Sequence, residues 1–359
     1  MYLNFFKISI MQVFIFAADF LFDNAMELNM SQINFSPVDI SKLPIPNAIE
    51  SLDFESIKTE ILADYASRYP NAHIELASEP VVKLIETFAY RELLVRQRVN
   101  DGANAVLLAK ATGAQLDYLG NRFNVKRQLI TQGNSNVTPA IADVYETDDR
   151  FRKRIQLSLE GFSTAGPIGA YVYHALATSA LVKDVTIDAP EFSYADIAPA
   201  LLAQLPDNVV ILHCTYDAGL TNPMPGDVAV TTLSTQGNGK DEVLASAVIT
   251  ALSDDDIRPL TDHVCNRAVE IIEYELNATL FCFKGTDSQA IKAASLQAVK
   301  DYMKQHHKLG LAVTQSALYS ALHQPGIERV VLHSPSSDIM VENYQAAYCM
   351  SEQVNIKAA

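Results

Sequence analysis

Apolar residues recur three or four positions apart through residues 79–127, EPVVKLIETFAYRELLVRQRVNDGANAVLLAKATGAQLDYLGNRFNVKR. Val81, Ile85, Phe88, Val95, Val99, Ala103 and Val106 form one helical stripe with Glu92 as its gap. Lys83, Thr87, Arg91, Arg98 and Asp101 fall on the other side. Pro80 suits a first helical turn, where its missing N–H has no intrahelical partner to lose. Gly102 is the one weak point of the run. Gly113 then supplies a left-handed stop, and a shorter helix with Leu116, Leu119 and Phe123 follows. Unbroken, the first helix would be on the order of 50 Å long. A helix of that size needs a second body, another domain or another subunit, to cover it.

Upstream, the proline-punctuated residues 36–46 read as extended, and Phe54, Ile57, Ile61 and Tyr65 mark a helix closed before Pro70. Downstream, residues 131–147 are polar and predict a linker. Phe151, Ile155 and Leu159 step by four until Gly161, expected at positive φ, stops that helix. Gly166 and Pro167 restart it, with Ile168, Val172, Ala175 and Leu176 inward. Strands follow at Val182, Val185 and Ile187, at residues 209–213, and at residues 227–233 after Pro225-Gly226. A helix is predicted over 241–252. The strongest strand pattern spans 271–283, with Ile272, Tyr274, Leu276, Ala278, Leu280 and Cys282 on one face. Thr286 and Gln289 form a capping box for a helix carrying Ile291, Ala294, Ala298 and Tyr302. A helix over 314–323 and a strand over 327–332 complete the pattern.

The fold class is therefore α+β: a helical N-terminal region with a long central helix, then one or two small sheet-plus-helix domains. The expected divisions are a dispensable leader (1–29), a helical domain (30–130), a linker (131–147), a helical pair (148–180), two α/β units (181–262 and 263–335) and a C-terminal tail (336–359). The leader's apolar run, residues 8–18, is too short to span a bilayer. Lys7 is the only basic residue before it and no small-x-small cleavage site follows, which disfavours a signal peptide. Met30 is the expected natural start, with an interfacial anchor as the alternative.

The wording EP-x-x-KLIE-x-x-AYRELL-x-RQR-x-ND, then LLA-x-ATGA-x-LD-x-LG-x-x-F-x-V-x-R, resembles the baseplate J-like proteins of contractile-tailed phages. FRKRIQLSLEGFSTAGPIGAYVYHAL, PGDVAVTTLS, RPLTDHV and GIERVVL agree in order, so the resemblance spreads over roughly residues 33–354. Asn124 stands where glycine is expected, and asparagine is the next best residue for a left-handed turn. The resemblance implies a structural part of a baseplate wedge in a phage, prophage or bacteriocin tail. It implies self-association, as a dimer within a ring, and contact with neighbouring wedge proteins. No active site, cofactor or small-molecule substrate is implied. The expected location is the host cytoplasm during assembly and then the virion tail baseplate.

Composition narrows the partners. The 359 residues carry 27 basic and 42 acidic side chains, net −15, which opposes nonspecific binding to nucleic acid or anionic lipid. The charge is uneven. Residues 79–127 hold eight Lys/Arg against five Asp/Glu, whereas 184–262 hold thirteen acids against Lys240 and Arg258. Such asymmetry suits docking of copies, with a solvated acidic face as the alternative. Arg91, Glu92, Arg96, Arg98 and Asp101 are the candidate assembly residues, Glu92 and Arg96 being spaced for a local ion pair.

Catalytic and metal signals are sparse. GFSTAG, residues 161–166, is one residue too long for a nucleophile elbow and lies between helices, which favours a capping turn. A hydrolase centred on Ser163 and His174 is the alternative function, without a defined acid or oxyanion hole. His306 and His307 are adjacent on a helix and point about 100° apart, too far to share an ion. His263 and Cys265 could face one way on a strand, but two donors leave a zinc site incomplete. Cys282 reads as core, and Asp254-Asp255-Asp256 as a solvated turn. The four cysteines contain no C-x-x-C pair and suit isolated thiols.

Overall fold

The computed structural model describes residues 40, 43–44, 49–71, 73–163, 167–195, 205–206, 209–283 and 287–358. The predicted leader, Gly166 and Thr286 lie outside these residues. The chain divides into two compact units, one over residues 36–271 and the other including 272–359. Helices and several small sheets make the architecture α+β, as the pattern predicts. Among the described residues no helix is long and apolar enough to cross a membrane.

In the first unit, α1 (Phe54–Arg68) starts at Asp53, whose carboxylate accepts the Ser56 N–H. The long helix α2 (Pro80–Val106) has Pro80 in its first turn and runs for 27 residues, about 40 Å. It ends earlier than expected, because Leu107 is extended. Gly113 does have positive φ, at 53°, but it opens α3 (Gly113–Arg122) and does not close α2. Asn124 takes φ 57°, so the left-handed turn after α3 is kept without glycine.

Residues 131–147 are a ribbon, not a plain linker. β1 (Leu129–Thr131) pairs antiparallel with β2 (Val144–Tyr145), and Asn134 bridges Ile141. α4 (Asp148–Leu157) then packs Phe151 and Ile155 against Leu116, Leu119 and Val125. Leu159, expected on the same stripe, is exposed because the helix stops at Leu157 and a 3-10 turn follows. α5 (Ile168–Thr178) buries Val172, Ala175 and Leu176 as predicted.

Next come β3 (Val182–Asp188), β4 (Glu191–Tyr194), β5 (Leu212–Tyr216), β6 (Asp227–Ser234), α6 (Glu242–Leu252) and β7 (His263–Asn266). β3, β6 and β7 form one sheet in that order, β3 antiparallel and β7 parallel to the wholly buried β6. β4 and β5 form a separate antiparallel pair. Residues 263–266 thus belong to the first unit, and the division falls at 271/272 instead of 263. The reason is the β6–α6–β7 crossover: its second strand hydrogen-bonds back to the first.

The second unit is built on β8 (Glu270–Cys282), α7 (Ser288–His306), α8 (Gln315–Leu322), β9 (Ile327–Ser334) and β10 (Gln345–Ala358), with sheet order β10-β8-β9. The predicted alternation on β8 is right where it matters. Leu276, Ala278, Leu280 and Cys282 are buried with Val299, Leu318 and Leu322. α7 is capped by Asp287, whose carboxylate accepts from Gln289 and Ala290. It turns Val299 inward, one position from the predicted Ala298. The expected tail contains a 14-residue strand, β10.

Candidate assembly surface

The candidate assembly residues lie on α2, and α1 decides which of its faces is covered. Val82, Ile85, Ala89 and Asn100 are the buried positions of α2. Asn100 fixes the chain before α1, donating to the Glu50 carbonyl at 2.9 Å and accepting the Glu50 N–H at 3.1 Å. Most of the predicted apolar stripe is outward, with Val81 and Ala103 half-buried. Only Ile85 of it is fully buried, while Phe88, Val95, Val99 and Val106 are 56–64% exposed. With Leu84 they project within about 60° of one another around the helix axis. The error has a physical cause. α1 has only 15 residues, and α2 packs against it through a line that includes small Ala89, leaving the bulkier stripe outward.

Gly102 lies on this outward stripe, and a Cβ there would meet nothing within 4 Å. Among the described residues no contact therefore requires glycine in mid-helix, where it costs about 0.5–1 kcal/mol relative to alanine. Arg91 and Arg98 are exposed along the border of the stripe, and among the described residues neither joins an ion pair. Glu92 and Arg96 form the local pair the spacing suggested, at 2.6 Å, and Arg96 also reaches Glu50 at 3.6 Å and Glu60 at 3.7 Å. Asp101 accepts from Gln97 at 2.7 Å. The five candidate residues thus separate into an internally paired set and two outward arginines.

Behind this region, α3 and α4 are held by buried charge. The Glu146 side chain is fully buried between Arg150 and Arg154, and both guanidiniums bond to it directly. Arg150 also donates to the carbonyls of Val182, Leu176 and Ser179. Arg152 donates to Leu108 and Ala111, and Arg154 to Lys126. The DRFRKR segment, residues 149–154, is therefore a structural clamp. Sequence reasoning missed Glu146 because a single acid in a polar stretch carries no periodic signal.

The residues of the alternative hydrolase are not joined. The His174 ring bonds the backbone of Gly161 and packs edge-on to Tyr173. Burial holds its pKa below the ordinary value, while the Gly161 contact pulls the other way. Among the described residues no hydrogen bond links Ser163 to His174. Gly161 is not at positive φ, contrary to expectation. It sits in the 3-10 turn with Tyr173 so close that a Cβ would overlap the ring.

Two further sequence signals resolve differently. His306 stacks on Tyr302, and His307 caps α7 with its ring near Tyr348, so the pair diverges. His263 and Cys265, by contrast, gain a third donor. Asp227 on β6 bonds His263 at 2.8 Å, and Cys265 Sγ lies 3.3 Å from the same ring nitrogen. The Met224 N–H is the main cause holding the Asp227 carboxyl below its ordinary range, and burial pushes the Cys265 thiol up.

Comparison with known proteins agrees with the sequence motifs. Residues 77–134 match the baseplate J-like N-terminal domain, and residues 274–356 match the baseplate J-like protein C-terminal domain. The chain is 37% identical over 325 residues to baseplate protein J of Escherichia phage P2, covering 88% of this chain and 97% of that protein.

Proposed function

Because the chain belongs to the baseplate J-like family, we propose that it is a structural component of a contractile-tail baseplate that assembles through the outward face of α2. The observation that carries this reading is the row Leu84, Phe88, Val95, Val99 and Val106, exposed over about 33 Å of one helix. An apolar row of that length on a folded protein marks a contact surface. A second copy of the chain is the occupant we favour. Gly102 leaves room on the stripe for another backbone to approach closely. Arg91 and Arg98 are also matched by exposed carboxylates of this same chain at Glu242, Asp254, Asp255 and Asp256. Further faces remain for neighbouring wedge proteins, and the particle is completed in the host cytoplasm before the protein resides in the tail.

Reversing charge on the border tests the reading. Arg91→Glu with Arg98→Glu should keep the circular dichroism of the wild type yet lose self-association by light scattering. Wild-type association should weaken as salt rises, because encounter is steered by charge. Association that is unchanged in the double variant would place the contact elsewhere.

A further inference from the structure

We propose that Asp227, His263 and Cys265 bind one divalent transition-metal ion, of which zinc is the best match. The site follows from strand register. β6 and β7 run parallel with Asp227 opposite His263 and Ala229 opposite Cys265. His263 and Cys265, two apart on β7, share a face, and Asp227 reaches the same point from the neighbouring strand. All three donor atoms lie within 4.8 Å of one another.

The spacing is near what a tetrahedral ion requires. With metal–N and metal–O bonds of about 2.1 Å and a metal–S bond of about 2.3 Å, donors stand roughly 3.3–3.6 Å apart. Here Asp227 Oδ1 is 2.8 Å and Cys265 Sγ 3.3 Å from His263 Nδ1. Opening the Asp227–His263 pair by about 0.5–0.6 Å and the His263–Cys265 pair by about 0.3 Å, with Asp227 and Cys265 already within 4.8 Å of each other, admits the ion. Asp227 is already oriented, because its Oδ2 accepts the Met224 N–H at 2.7 Å and leaves Oδ1 for the site. The carboxylate is 10% exposed while the imidazole is 76% exposed, so the fourth position faces solvent and takes water.

The donor set selects the ion. Carboxylate, imidazole and thiol together suit zinc, whereas magnesium and calcium prefer oxygen donors throughout. On binding, the Cys265 S–H bond breaks, its proton leaves to solvent and a sulfur–metal bond forms, with no change of oxidation state. The ion would tie the four-residue edge strand β7 to the buried β6.

Cobalt(II) titration of the chelator-stripped full chain tests this. One ion per chain should bind, with a thiolate-to-cobalt charge-transfer band and the strong visible absorption of tetrahedral cobalt, and zinc should displace it. Cys265→Ser should remove the charge-transfer band, and His263→Gln should weaken binding at least about tenfold. Cys214→Ser and Cys349→Ser should change neither. His263→Gln alters an exposed ring, so it reports binding without threatening the fold. Absence of the band, its survival in Cys265→Ser, or unchanged affinity in His263→Gln would overturn the site and leave an Asp227–His263 hydrogen bond only.

Discussion

Replacing Glu146 by alanine should be the most damaging single charge deletion in the first unit. Its side chain is fully buried, and its partners Arg150 and Arg154 are themselves 13% and 6% exposed. Removing the carboxylate leaves two cations in a desolvated site with one counterion gone, a change that costs about 3–5 kcal/mol. For a unit of this size each kcal/mol moves the midpoint by about 2–4 °C, so a fall of roughly 6–20 °C follows. Scanning calorimetry resolves the effect. Glu146→Gln should fall between wild type and alanine, because an acceptor remains but the charge does not. The control is Glu352→Ala, which breaks a half-exposed pair with Lys300 and should cost below about 1 kcal/mol. A Glu146→Ala shift no larger than that control would refute the clamp.

Three other outcomes follow from the same contacts. Gly161→Val should lower thermal stability by about 1–3 kcal/mol through overlap with Tyr173, whereas Ser163→Ala should stay within about 0.5 kcal/mol; paired melting curves check both. His174 is held below its ordinary pKa of 6.5, so the stability its neutral form contributes is present above that value and is lost as pH falls below it. His174→Gln should therefore melt with a flatter pH dependence than wild type on the acid side, as read by midpoints across a pH series. In the second unit, Leu280→Ala, at a fully buried position, should cost about 2–5 kcal/mol in urea unfolding.

Elements with a strong period are legible in the sequence. The alternation on β8 names its apolar buried face correctly from Leu276 to Cys282, which packs on Val299, Leu318 and Leu322, although Thr279 on the other face is buried too. α2 was legible as a helix but not in its orientation. A stripe of large apolar residues predicts burial, and the stripe is instead the part that α1 leaves uncovered. Sequence gives the period of a helix, not which neighbour is long enough to hide it. β10 was missed because Glu352, Gln353, Asn355 and Lys357 interrupt its apolar positions, as an edge strand allows. The Asp227–His263–Cys265 group was half legible. Two donors lie two apart in sequence, and the third arrives through a parallel register 36 residues away.

The central claim is that copies of this chain meet through the outward stripe of α2, and its mass in solution decides the matter most directly. Sedimentation equilibrium of the full chain and of Val95→Asp with Val99→Asp isolates that face, since both positions are more than 60% exposed and neither supports the fold. Charges placed there should leave the circular dichroism intact and reduce the wild-type oligomer to the monomer mass. A variant that keeps the mass of the wild-type oligomer, or a wild type that is itself a monomer at every concentration, would contradict the account.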